Sequence, residues 1–305
     1  MGLTNFPNGI TSFGVPIFGG GQQDISGNAF FVDANVLTSG GDGKSWDTAY
    51  KTIAAGLAAA DTDIGLSSNR AWARRNTVFY CGDDISETLV LAAEKTDLIG
   101  VGSDGGSFPR VTGNFTIGTA VSGFRIINMG FVPTTIAPVI TFPTAMHGWE
   151  LHHCHLYKVE DLLNSAQLLS TDCRDFVMKH TNIYPDSSAV KSTIGFNVAG
   201  TTNGVGRARI EDCLIVGVEA FNVVDTSAYF EGALCKNTTF IADALCIDDN
   251  SDAFAFVDCR LITAATITGI AGGGVVDWNP ALIAGNYATG ADTWGPLPDL
   301  AAHTS

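Results

Sequence analysis

The chain has 305 residues, with 16 Lys or Arg against 31 Asp or Glu, and 35 glycines. Charged residues make up 15% and apolar ones 46%, which excludes a disordered chain, rich in charge and poor in apolar residues; the glycines follow no Gly-X-Y period, which excludes collagen. The net charge of −15 argues against a nucleic-acid partner, because such surfaces draw their affinity from Lys and Arg neutralising phosphates. No apolar run approaches the ~18 residues needed to cross a membrane, so no membrane partner is expected either.

Residues 1–28 form a segment of their own. Phe6, Ile10, Phe13, Ile17 and Phe18 stand singly among Pro, Gly and Asn, with neither helical nor strand periodicity. Water penalises such side chains when they are exposed, so the segment reads as an extended arm that buries itself on a partner. The first basic residue is Lys44, so no charged leader region is expected. The chain is then expected to fold in a cytoplasm, with its seven cysteines as free thiols.

Residues 29–32 read as a short strand, and a Gly/Asp loop leads from it into a helix over about 45–60. Ser45 is a candidate N-cap, and Trp46, Tyr50, Ile53 and Leu57 fall at spacings that make one apolar stripe. Such a stripe has to cover something apolar.

A repeat dominates the remainder. Its template is apolar, any, apolar, any, polar, any, any, apolar. The copies are Phe124–Ile126–Asn128–Phe131, Trp149–Leu151–His153–Leu156, Phe176–Met178–His180–Ile183, Ala208–Ile210–Asp212–Ile215, Ala233–Cys235–Asn237–Phe240 and Phe254–Phe256–Asp258–Leu261. Segments 76–82, 97–103 and 113–119 read as strands of less regular coils in the same series. Period-2 apolar residues mark a strand with one buried face, the polar residue marks a sharp turn, and the last apolar residue opens a second buried strand. A single unit cannot bury its face, whereas units stacked at ~4.8 Å build a continuous core.

The expected fold is therefore all-β, a parallel β-helix over residues 29–270. The helix near 45–60 covers its N-terminal end, and an irregular cap or subunit-contact segment follows over 271–305, where the repeat is lost. Asn128, His153, His180, Asp212, Asn237 and Asp258 should align as a turn ladder. One residue further on, Cys154, Cys213 and Cys259 fall two coils apart, about 9.6 Å at the strand spacing. That is too far for a disulfide, so they read as small packing residues.

The stretch DGKSWDTAYKTIAAGLAAA followed by coils resembles the beginning of many right-handed parallel β-helix proteins. The opening MGLTNFPNGITSFGVP is similar to the N-termini of bacteriophage virion proteins that carry a β-helix body. The resemblance implies a structural phage protein, a head decoration (cement) protein or a fibre, commonly a homotrimer. Its partner would be the major capsid protein and its place the capsid surface of a virion assembled in the host cytoplasm. Phe6, Ile10, Phe13, Ile17 and Phe18 would then anchor it, with no cofactor and no catalysis.

Tailspike depolymerases and pectate lyases share this fold class, so a glycan-binding or glycan-hydrolysing protein is the alternative. Glycoside hydrolysis needs two carboxylates at a fixed separation, and Glu150, Glu160 and Asp161 lie on neighbouring loops. Asp248, Asp249 and Asp252 are weak Ca²⁺ candidates that lack the spacing of an EF-hand. The run His152-His153-Cys154-His155 contains no metal-ligand spacing, so no metal is expected there.

Overall fold

The computed structural model describes residues 11–12, 15–16, 27–37, 41–66, 75–82, 84–91, 93–102, 109–117, 121–142, 148–158, 166–171, 175–185, 193–199, 207–224, 233–249, 254–263, 270–271, 278–279 and 282–285. The strands of residues 29–285 pair in parallel and form two curled sheets. One has ten strands, running in chain order from Ala29–Asp33 through Arg125–Ile127 and Glu150–His152 to Trp278–Asn279. The other has 15 strands in all, and successive coils contribute two short strands to it, such as Gly130–Val132 and Ile140–Phe142. In later coils these fuse into single long strands, Leu214–Val223 and Thr239–Asp249. The molecule is a parallel β-helix, as the repeat predicts.

The register bears out the template position by position. Ile126, Leu151, Met178, Ile210, Cys235 and Phe256 are neighbours across the first sheet. Phe131, Leu156, Ile183, Ile215, Phe240 and Leu261 line up in the second. All twelve side chains are buried in one continuous core. Flat aromatic stacking runs along the axis: Phe142 to Trp149 at 4.1 Å and Trp149 to Phe176 at 4.6 Å.

All six turn residues adopt a left-handed backbone: Asn128, His153, His180, Asp212, Asn237 and Asp258 have φ between 47° and 55°. Polar residues with short side chains tolerate this region best after glycine, which is why the template carries one at each corner. The buried position that follows holds Met, Cys or Thr. Cys154 Sγ donates to Ile126 O and His152 O, both at 3.4 Å, and Thr181 Oγ1 donates to Lys179 O at 3.0 Å. The Cys and Thr residues here therefore do more than fill space, since their side chains donate to corner carbonyls inside the core. Cys154 and Cys213 are free thiols, as are the other described cysteines. The closest pair, Cys235 and Cys259, brings sulfurs from adjacent coils to 3.7 Å in a thiol hydrogen bond.

The N-terminal end corrects the expected helix. Ser45 is an N-cap, but of a single 3₁₀ turn, Trp46–Thr48. The α-helix spans Ile53–Leu66. Tyr50 cannot be helical because its backbone is committed to the free edge of Ala29–Asp33: its N–H donates to Phe31 O at 2.8 Å, and its carbonyl accepts from Asp33 N–H at 2.9 Å. Pairing of this kind removes an exposed strand edge. Trp46 leaves the expected stripe and packs edge-on against Phe31 on the outer face of the sheet, ring centroids 4.8 Å apart. The buried helical stripe is Ile53, Leu57, Ala60 and Ile64. The first three join the main core beside Val32 and Val78, so the helix covers the first coil.

The sheets also extend beyond residue 270, the expected boundary of the solenoid. Trp278–Asn279 pairs with Phe256 and Val257, and Leu282–Gly285 pairs with Arg260 to Thr263, both in parallel. In the sequence Pro280 falls at the template's polar position, and proline cannot take a positive φ. The template fails here while the sheet pairing continues.

Candidate functional site

The richest polar constellation lies on the outer face of the ten-stranded sheet, in columns that the parallel register creates. Asp97, Arg125 and Glu150 are direct neighbours on three successive strands. Arg75 Nη1 donates to Asp97 Oδ1 at 2.6 Å and to Gly123 O at 2.8 Å. Arg125 Nε lies 3.1 Å from Glu150 Oε1 and 3.9 Å from Asp97 Oδ1, and His152 Nε2 donates to Glu150 Oε2 at 2.7 Å. Lys179 and Glu211 continue the face with an ion pair of 2.8 Å.

The two carboxylates respond in opposite directions. Burial drives the Asp97 carboxyl above its ordinary range, more strongly than Arg75 and Arg125 draw it down. Burial also pushes Glu150 upward, but the His152 hydrogen bond and the Arg125 charge together outweigh it and hold Glu150 below its usual value. Such a split can mark an acid and a base. Here Asp97 is nearly inaccessible, its side chain 5% exposed behind Arg75, and Glu150 is gripped from both sides. The arrangement ties successive coils together.

The turn ladder forms a second polar line beside this face. The rings of His153 and His180 stack at 4.7 Å. His180 Nδ1 stands 4.0 Å from Asp212 Oδ2, and Asn237 Nδ2 donates to Asp212 Oδ1 at 2.5 Å. The three neighbouring histidines part company around the corner. His152 joins Glu150, His153 joins the ladder, and His155 passes to the second sheet, where its Nδ1 lies 3.2 Å from Tyr184 Oη. Among the described residues no group of three or more His, Cys, Asp and Glu could hold a metal ion.

His155, Tyr157 and Tyr184 form an aromatic cluster on the outer face of the second sheet, with Tyr157 and Tyr184 edge to face at 5.1 Å. Of the other sequence candidates, Phe6, Ile10, Phe13, Ile17, Phe18, Glu160, Asp161 and Asp252 lie outside the described residues. Asp249 is described only as the last residue of its strand. Asp248 is in register with Asn222, and Asn222 with Asn197.

A second left-handed ladder escaped the sequence reading. Lys95, Gly123, Gly148, Asp175 and Arg207 all have positive φ, and each stands immediately before the first position of its coil. Arg207 grips Asp175 of the preceding coil through its Nε and Nη2, at 2.6 and 2.8 Å. Its signal was the position itself; the residue types vary too widely to form a motif.

The coils, corners and ladders define a parallel β-helix. No protein-family profile matches the chain, and no curated protein matches it. Among solved structures, the pectate lyase Pel9A is similar over 86% of this chain and 78% of its own, with a TM-score of 0.42 and 9% sequence identity.

Proposed function

We propose that this chain is a structural protein of a bacteriophage particle: a capsid decoration or cement protein, held on the major capsid protein by residues 1–28. The observation that carries this reading is where the arm joins the body. Ala29–Asp33 is the outermost strand of the ten-stranded sheet, at the end covered by the helix Ile53–Leu66. The preceding residues therefore attach at a closed end, where an arm can engage a partner without opening the stack. Phe6, Ile10, Phe13, Ile17 and Phe18 can each contribute about 1.5–3 kcal/mol on full burial, and several copies in a homotrimer would multiply that by avidity. Several charges of the body's outer face pair across coils, among them Arg125 with Glu150, Lys179 with Glu211 and Arg207 with Asp175, which ties the stack together.

Quantitative mass spectrometry of purified particles tests the reading. Copy numbers comparable with the major capsid protein support decoration, and a handful per particle indicates a tailspike or fibre. Complete absence overturns a virion role. A chain lacking residues 1–20 should fold and fail to bind particles.

A second reading, glycan binding, is favoured by the aromatic cluster at His155, Tyr157 and Tyr184, since aromatic faces stack on sugar rings while their polar tips hydrogen-bond. Glycan-array binding that disappears in Tyr157→Ala with the fold retained would move this reading to first place.

A further inference from the structure

We propose that Cys235 and Cys259 form an oxidation site, at which a peroxide converts two thiols into a disulfide that staples adjacent coils together. Both are free thiols in the structure and both are buried, with their sulfurs 3.7 Å apart. A disulfide holds its sulfurs at about 2.04 Å, so closing the bond takes a shift of roughly 0.8 Å by each sulfur.

The repeat itself builds this contact. The buried residue after each corner reaches back to the strand of the preceding coil: Cys154 Sγ to Ile126 O, Thr181 Oγ1 to Leu151 O, Cys213 Sγ to Met178 O and Cys259 Sγ to Cys235 O. Ile126, Leu151, Met178 and Cys235 belong to one column of the first sheet, and of these four only Cys235 carries a thiol. Cys259 therefore meets a second thiol where Cys154 and Cys213 do not. The spacing of the cysteines that follow corners could not reveal the pair, because Cys235 stands at a different position of the template.

The contact prepares the two sulfurs for different parts. The hydrogen bond with Cys235 draws the Cys259 thiol below its ordinary value, more strongly than burial raises it. Burial, and then the same hydrogen bond, holds Cys235 well above its own. Cys259 is thus the better nucleophile, since thiolate is the reactive form. Its chain neighbours Asp258 and Arg260 are both exposed, so the sulfur lies directly beneath the surface of the corner, within reach of an oxidant hardly larger than water.

The Cys259 sulfur attacks one peroxide oxygen, the O–O bond breaks, and the departing hydroxide takes the thiol proton to become water. This leaves a sulfenic acid on Cys259, the species that condenses with a neighbouring thiol. The Cys235 sulfur then attacks the Cys259 sulfur, the S–O bond breaks, and hydroxide leaves with the Cys235 proton as a second water. Two thiols have given up two electrons and two protons, and one hydrogen peroxide has become two waters. The bond joins residues 24 apart in the chain and restricts the unfolded state, which is how a disulfide stabilises a fold.

The test is to treat the folded, reduced full chain with dilute hydrogen peroxide, then alkylate it in denaturant and map the peptides. The reduced chain takes a label on each of its seven cysteines; the treated chain should take two fewer, and dithiothreitol should restore both. Trypsin cuts after Arg209, Lys236 and Arg260 and leaves a second cysteine in each linked peptide, Cys213 in one and Cys246 in the other, so fragmentation of the linked pair must place the bond. Cys235→Ser should lose the bond and Cys246→Ser should keep it, and if Cys235→Ser folds poorly the fragmentation of the parent decides. The melting temperature should rise on oxidation and return with dithiothreitol. Full labelling after peroxide overturns the proposal, as does a bond between other cysteines, irreversible oxidation of Cys259 alone, or an oxidised form that melts no higher than the reduced one.

Discussion

The rings of Trp149 and Phe176 lie 4.6 Å apart and within 4° of parallel, although a full coil of chain separates them. Phe142 covers the other face of Trp149 at 4.1 Å, and the indole Nε1–H donates to Ser170 Oγ at 3.3 Å. Trp149 is therefore the central layer of an aromatic stack in a core with no solvent access. Trp149→Ala should cost about 3–5 kcal/mol, the range for emptying a large aromatic site, while Trp149→Phe should retain most of the stability. Urea denaturation followed by circular dichroism measures both; equal losses would show that a stacked ring at this position does not carry the stability.

The corner residues make a prediction of opposite sign for two substitutions at one site. His153 has φ of 52°, a conformation that costs an L-residue with a Cβ roughly 1–2 kcal/mol. His153→Val, β-branched and without a polar side chain, should destabilise by at least that amount. His153→Gly should be neutral or stabilising, because glycine enters the left-handed region freely. The ring stacked on His153 belongs to His180, so the same pair of substitutions there should give the same ordering of denaturation midpoints.

Acid should release the grip on Glu150. Its carboxyl is held below the usual value of 4.5, so folding favours the ionised form. The contribution is complete above about pH 4.5 and is lost as the pH falls through the lower folded value. Asp97 shifts upward and works the other way, so the acid curve of the intact protein mixes the two. Glu150→Gln separates them: wild type should be the more stable at pH 7, and its advantage should shrink steadily below pH 4.5. A constant difference between pH 7 and pH 3 would show that the Arg125 and His152 contacts do not hold the charge.

The buried thiols of Cys154 and Cys213 should be inert while the protein is folded. Burial pushes Cys154 and Cys213 up to about 12 and the half-buried Cys81 to about 11, so thiolate, the reactive form, is scarce at pH 8. Iodoacetamide followed by peptide mapping should leave Cys154 and Cys213 unlabelled in buffer and label them fully in denaturant. Rapid native labelling at either position would contradict the closed core.

The coils were legible because their signal is local. A strand with one buried face writes itself as period-2 alternation, and a left-handed corner writes itself as Asn, Asp or His two residues later. Both signatures survive loops of any length between them. The helix was half legible. Its apolar residues were visible, but its start is set by Glu87, whose carboxylate accepts from Ile53 N–H at 2.9 Å and Ala54 N–H at 3.0 Å. A cap supplied from a later coil leaves no mark beside the helix. The last coil was missed because Pro280 stands where the template requires a polar corner residue.

The candidate sites divide along the same line. Glu150 could be picked out as a carboxylate, but its guanidinium partner Arg125 stands one coil earlier, and that neighbour decides whether it is a free acid or half of an ion pair. His152, His153 and His155 read as a cluster in the sequence, yet the corner sends them to three different surroundings. By itself the sequence determined which side of each strand is buried and where each coil turns, because those follow from adjacent residues and the stereochemistry of an L-peptide. Only the tertiary structure decided which outer side chains meet, since the lateral columns Asp97–Arg125–Glu150 and Asn197–Asn222–Asp248 are built by strand register, and register depends on the stacking of whole coils.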